Sequence, residues 1–251
     1  MTAAPQPLPP AERTVGQLIG EAIRLYGRRF LRAALTIGVP VALLDVIAAQ
    51  FDRPQSYGVA VVGGAVLVTA SWVAACLLAL DVQWERRRAA VAYGLGVLLF
   101  LPFPFLASIF VLPGLAWFAF VGLSIPVLLV EGGGVRAALR RSIRLARADA
   151  AHAIGALAAL AIVYFLARFG LAVLLRGQGE QTEAIAAFLS DTVVSPVLFL
   201  GAALLYVDQS ARVVDSAAPQ TTRVRRTKNR ADLHPADDAH GPGRPDAQVE
   251  P

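Results

Sequence analysis

From Ala89 to Val130 the chain runs for 42 residues without a charged side chain. A helix needs about 20 predominantly apolar residues to cross the hydrocarbon core of a bilayer. The run therefore has the length of two crossings, and it predicts a hairpin of two membrane helices. Pro102, Pro104 and Pro113 lack the N–H that a helix interior needs, so the turn is expected between Pro102 and Gly114.

Four more apolar stretches of spanning length follow the same logic. They run from Ala33 to Gln50, from Tyr57 to Leu80, from about Ala150 to Leu175, and from about Ile185 to Val207. The first contains Asp45, the third Arg168, and the fourth Asp191 and Pro196. Only 16% of the chain is charged, against about 25% in an average soluble domain. The expected fold is thus all-α: a polytopic membrane bundle of about six transmembrane helices.

The basic residues predict its orientation. Arg13, Arg24, Arg28, Arg29 and Arg32 precede the first span, and Arg86, Arg87 and Arg88 follow the second. Arg136, Arg140, Arg141, Arg144 and Arg147 follow the fourth, and the tail carries seven more. Only Arg53 and Arg176 fall in the alternate connections. Cytoplasmic loops carry the excess of Lys and Arg, so both termini are expected in the cytoplasm of a multi-pass cell-membrane protein. The same flanking arginines account for a pI near 10.0 without any nucleic-acid partner.

Residues 1–12 are Pro- and Ala-rich and are expected to be disordered, with no cleavable signal peptide, and residues 13–215 form the membrane domain. From Ser216 to Pro251 the composition predicts a disordered cytoplasmic tail. Its basic block, Arg223 to Arg230, suits anionic lipid at about 1 kcal/mol per residue, or is simply solvated. Two further segments have amphipathic helical spacing and are expected at the cytoplasmic interface. Thr14 to Arg29 opens with a Thr14-x-x-Gln17 capping box. Val135 to Arg147 sets Val135, Ala138, Leu139, Ser142 and Ala146 on one face, with Arg136, Arg140, Arg144 and Arg147 on another. Ordinary juxtamembrane helices would show the same pattern.

Signatures of chemistry are sparse. The sequence has no H-E-x-x-H, C-x-x-C, G-x-S-x-G or Walker-type loop, so no catalytic, metal-binding or cofactor-binding residue is assigned. Cys76, the single cysteine, lies within an apolar span and is expected to serve as packing. Gly132-Gly133-Gly134 lacks the lysine and hydroxyl of a phosphate loop and is expected to be a turn. Charges inside the spans say more, because lipid penalises them. At 1.5 Å per residue, Asp45, Arg168 and Asp191 all fall about 7–10 Å inside the outer ends of their helices. Arg168 is expected to pair with Asp191, Asp45 or both. The cluster reads either as a substrate or ion site, or as a structural ion pair with side chains snorkelling to the headgroups.

Several short motifs remain: R-L-Y-G-R-R-F (Arg24 to Phe30), L-P-G (Leu112 to Gly114), Ser124-Ile125-Pro126, Glu131, A-L-R-R-S (Ala138 to Ser142) and L-L-Y-V-D (Leu204 to Asp208). Over residues 13–215 the chain resembles the membrane domain fused to some bacterial glycerophosphoryl diester phosphodiesterases, in its stand-alone form. Gln209-Ser210-Ala211 before Arg212 departs from that family's usual ending. The resemblance implies no enzymatic activity here, because the phosphodiesterase chemistry belongs to a soluble domain for which this sequence leaves no room. It also implies that the cytoplasmic Arg140, Arg141 and Ser142 lie near Tyr206 and Asp208, with a salt bridge joining the loop helix to the sixth span. The expected function is a non-enzymatic membrane protein that organises lipids, anionic ones included, or a membrane protein partner. The alternative is a small-solute transporter or channel using Asp45, Arg168 and Asp191.

Overall fold

The computed structural model describes residues 10–109, 111–174 and 179–217. The expectations for residues 1–9, for a turn at residue 110, for Arg176 and for the tail beyond residue 217 lie outside the described residues. The described residues are helical without a strand, and those up to Val213 belong to one compact unit. The helices are α1 (Val15–Arg28), α2 (Phe30–Ala33), α3 (Val39–Ala48), α4 (Arg53–Ala79), α5 (Arg86–Phe100), α6 (Phe103–Ile109), α7 (Val111–Trp117), α8 (Ser124–Val130), α9 (Val135–Ala148), α10 (Ala150–Leu174) and α11 (Glu180–Ala217).

Six helical stretches are long and apolar enough to cross a membrane: Phe30–Ala48, Gln55–Ala79, Arg86–Leu106, Leu112–Val130, Ala150–Leu174 and Ala184–Ser216. Two limits differ from expectation. The first stretch begins at Phe30 rather than Ala33, because α2 follows α1 after Arg29 alone. The sixth extends well past Val207. Its polar continuation, Asp208, Gln209 and Arg212, finds partners in Arg13 ahead of α1 and Asp149 between α9 and α10, and stays helical.

Prolines shape the bundle. Each removes the donor for the carbonyl four residues earlier and crowds it. Wide (π) turns precede two of them, Ala34–Gly38 around Pro40 and Phe118–Gly122 before Pro126. Side chains from other helices supply what those turns lack. The indole Nε1 of Trp72 donates to the Gly122 carbonyl at 3.3 Å, Ser142 Oγ to Phe120 O at 2.6 Å, and Ser71 Oγ to Ile37 O at 2.8 Å. Trp117 Nε1 similarly donates to Leu99 O near the end of α5, at 2.9 Å. In a medium without water, such bonds are what makes an interrupted helix tolerable.

The core forms around Trp72, which is fully buried and meets Phe118 edge-on at 5.0 Å between ring centroids. Ile37, Leu123, Ile125, Leu200 and Leu205 are buried with it. The outer side of α10 is the reverse, with Ile162, Phe165, Leu166 and Phe169 exposed. An apolar exterior over a packed interior is the pattern of a chain dissolved in lipid.

The amphipathic helices pack against the bundle. The Thr14 capping box forms in both directions, and Leu18 and Ala22 of α1 are buried without residual exposure. On α9 the packed face comprises Ala138, Ser142, Leu145 and Ala146. Leu145 therefore belongs to this face and Val135, 37% exposed, does not. At 100° per residue the packed arc runs from Leu145 through Ala138 and Ser142 to Ala146, and Val135 falls within that arc but, as the first residue of α9, stays exposed.

Two helices approach closely at Gly38, where an added Cβ would collide with the backbone carbonyl of Thr192, the carbonyl that Pro196 deprives of its helical donor. At Gly201 an added Cβ would meet only the Leu160 side chain, at 2.6 Å. Gly38→Ala should cost about 1–3 kcal/mol in detergent unfolding, and Gly201→Ala clearly less, because a leucine can change rotamer. Equal losses would show that the first span does not close on the sixth at Gly38.

Candidate functional site

One ionic cluster joins three of the spanning helices toward the end opposite the arginine-rich loops. Asp45 lies on α3, Tyr164 and Arg168 on α10, and Asp191 on α11. Tyr164 and Arg168 are four residues apart, so they share a helix face. The Arg168 guanidinium forks. Its Nη1 donates to Asp191 Oδ1 at 2.9 Å and to the Tyr164 hydroxyl at 3.0 Å, while Nη2 donates to Asp45 Oδ2. The Tyr164 hydroxyl donates in turn to Asp191 Oδ1 at 2.7 Å. The three charges singled out in the sequence are thus brought together. Tyr164 was missed, although its spacing from Arg168 was a legible signal.

The partners are not equivalent. Asp191 has no exposed side-chain surface, whereas Asp45 retains 41%. Asp191 Oδ2 is buried with no hydrogen-bond partner among the described residues. Two carboxylates share one guanidinium, so the fully ionised cluster would keep one negative charge. Beside it lies an apolar cavity of about 400 Å³, lined by Phe100, Phe103, Phe118, Phe165, Phe199 and the Tyr164 ring. The two hydroxyls on its wall are engaged, Tyr164 with Asp191 and Ser195 with the Asp191 carbonyl at 2.6 Å. An apolar cavity of this kind stays dry and offers an ion no ligand.

A second set of polar contacts lies at the arginine-rich end. Glu131 Oε1 accepts from Arg141 Nε at 3.2 Å and from the Tyr206 hydroxyl at 3.1 Å. Glu131 therefore bridges α9 to α11. The direct salt bridge expected between the Arg-Arg-Ser segment and Asp208 is not formed. Ser142 bonds Phe120 O, and Arg140 is exposed without an acidic partner among the described residues. Asp208 faces elsewhere. Its Oδ1 accepts from Arg13 Nη1 at 2.9 Å, and His152 Nε2 lies 4.0 Å from its Oδ2.

Around Asp208 the network widens. Arg212 donates to Asp149 Oδ2 at 2.9 Å and to the Arg13 carbonyl at 3.0 Å, while Gln209 Nε2 reaches the Asp149 carbonyl at 3.4 Å. These bonds tie the N-terminal arm and the start of α10 to the end of α11. Asp149 and His152 were not singled out in the sequence, Arg13 counted there only toward orientation, and Gln209 and Arg212 only as part of the chain's ending. The polar run at the end of the sixth span hinted at Asp208, Gln209 and Arg212, but nothing local marks Arg13, 195 residues away. Asp208 Oδ2, His152 Nε2, Gln209 Oε1 and Arg212 Nε are buried without hydrogen-bond partners among the described residues, an arrangement that suits buried water. Among the described residues no group of three or more His, Cys, Asp or Glu side chains could hold a metal ion.

No family model matches the chain, and no curated protein or solved structure is found to be similar to it.

The cluster geometry ranks the carboxylates. Arg168→Leu should destabilise the protein by about 3–5 kcal/mol, because it strands the buried Asp191 charge. Adding Asp191→Asn should recover most of the loss, and adding Asp45→Asn little, since the half-exposed Asp45 can reach water or headgroups. Thermal unfolding in one detergent compares all three variants, and greater rescue by Asp45→Asn would reverse the ranking.

Proposed function

We propose that this chain is a non-enzymatic, multi-pass protein of the cell membrane that gathers anionic lipid at its arginine-rich end. Positive-inside bias supports placing that end and both termini in the cytoplasm. The resemblance to the stand-alone membrane domain of the glycerophosphoryl diester phosphodiesterase type supports the same reading. Its short motifs include Glu131, Arg141 and Tyr206, which meet in the structure.

The observation that carries the reading is a set of arginines left without acidic partners. Arg32, Arg86, Arg87, Arg136, Arg140, Arg144 and Arg147 are all exposed, and none forms an ion pair among the described residues. On α9, Arg136, Arg140, Arg144 and Arg147 fall within one arc, opposite the packed Ala138, Ser142, Leu145 and Ala146. The helix is held by one face and presents its charge on the other. Each arginine near an anionic leaflet contributes about 1 kcal/mol, and the attraction falls off within a Debye length.

Replacing Arg136, Arg140, Arg144 and Arg147 together with glutamine should therefore lower the anionic lipid that co-purifies with the protein and make the remainder less sensitive to salt. Lipid phosphorus and headgroup analysis after extraction in a mild detergent reads this directly. An unchanged anionic content would remove α9 from the proposal.

Transport of a small solute is the second reading, favoured by one observation: the unpartnered Oδ2 of Asp191 in a cluster with two carboxylates and one guanidinium. Against it stands the dry apolar cavity, since an ion entering so apolar a region loses hydration worth on the order of 20 kcal/mol before relaxation. Cation flux into proteoliposomes that is lost in Asp191→Asn would make transport the better reading, and no flux above empty vesicles would end it.

A further inference from the structure

The structure contains a second apolar hollow, at the arginine-rich end, with a volume of about 530 Å³. It is walled by the first three spans: Thr36 from the first, Val73, Ala74 and Leu77 from α4, and Ala90 and Tyr93 from α5. Arg86 and Trp84 also line it. Along α5, Arg86 and Tyr93 are seven residues apart, about 10 Å of axial rise. The hollow thus runs from the membrane interface into the hydrocarbon beside α5.

Its polar atoms divide sharply. Deeper in, the Thr36 hydroxyl donates to Arg32 O at 2.7 Å and the Tyr93 hydroxyl to Val66 O at 3.2 Å. Both are engaged with backbone, so the inner wall presents only apolar surface. At the mouth, the Arg86 guanidinium and the Trp84 indole N–H have no partner among the described residues, and Trp84 is 65% exposed. Arg32, also exposed and without an acidic partner, lies one turn from Thr36 on the neighbouring helix.

We propose that this groove holds one anionic phospholipid, its phosphate on Arg86 and Trp84 and an acyl chain along Ala74, Leu77 and Ala90. The occupant follows from complementarity at two levels. A guanidinium and an indole N–H at interface depth recognise phosphate oxygens, and Arg32, one turn from Thr36 on the first span, adds positive charge that favours a net negative headgroup. Below them an apolar slot beginning in the hydrocarbon region meets acyl chains before anything else. A free phosphate would have no use for the slot, and a neutral apolar molecule none for the arginines. The inference rests on the reading of the chain as a membrane protein that gathers anionic lipid, but concerns a single seated molecule and not the diffuse field of α9.

The test is native mass spectrometry of the full chain released from nanodiscs of equal parts phosphatidylcholine and phosphatidylglycerol. The unaltered protein should retain one phosphatidylglycerol, at least tenfold in preference to phosphatidylcholine. Arg86→Gln, at an exposed position, should erase the preference. Ala90→Phe, which narrows the slot without touching charge, should lose the retained lipid of either kind. The glutamine variant of the four α9 arginines should keep it. Loss of the retained lipid only in that α9 variant would overturn the groove while leaving the broader reading intact. Retention of no lipid, equal retention of both lipids, or an Arg86→Gln protein as selective as the original would also overturn it. If Ala90→Phe does not elute as a monodisperse species, Arg86→Gln decides alone.

Discussion

Inside an apolar bundle a backbone carbonyl without its helical donor has no water to turn to, and the prolines of this chain create that situation inside spanning helices. Neighbouring helices meet it at two of these places. Trp72 on α4 supplies the carbonyl that Pro126 leaves bare at Gly122, and Ser142 on α9 supplies Phe120 in the same wide turn. The glycine at position 38 lets the first span close on the Thr192 carbonyl that Pro196 leaves bare. Proline positions and helix contacts are therefore one problem. Where the helix is interrupted, a neighbour has to be close, and Trp72 at the centre of the core is both the donor and the main packing surface.

The same constraint governs the charged side chains. Away from the arginine-rich loops, Asp191 is buried completely, and Arg168 and Tyr164 both bond its Oδ1. At the arginine-rich end, Asp208 is equally buried and depends on Arg13, while Glu131 holds Arg141 and Tyr206. Each group spans helices that are distant in sequence. Together they pin α1, α9 and α10 to the long final helix, whose polar last turns would otherwise have no reason to remain in a packed environment.

What is left over after these pairings is informative. Asp208, Glu131, Asp191 and Asp149 engage Arg13, Arg141, Arg168 and Arg212, and those arginines are structural. The exposed Arg136, Arg140, Arg144 and Arg147 of α9, and Arg86 and Arg87 at the α5 start, have no such duty among the described residues. A basic end with its structural needs met elsewhere leaves free charge facing the leaflet or the water beside it, and this surplus supports a lipid-directed role over a purely architectural one.

The spans themselves were legible because apolar length is a local property: 42 uncharged residues have the length of two crossings, and two stretches of spanning length, Arg86–Leu106 and Leu112–Val130, cover them. The capping box at Thr14 is local as well, and so is the matching depth of Asp45, Arg168 and Asp191, which follows from counting along regular helices. Partner choice was not legible. The sequence set Arg140, Arg141 and Asp208 at one end of the bundle, yet rotation of α9 and α11 about their axes sends Arg141 to Glu131 and leaves Asp208 to Arg13. The packed face of α9 was not fully legible either, since Leu145 and Val135 are equally apolar and only their position against the packed neighbours distinguishes them. By itself the sequence determined which segments enter the membrane and how deep each charge lies. Only the tertiary structure decided which charges meet, because azimuth around a helix is set by packing between segments far apart in the chain.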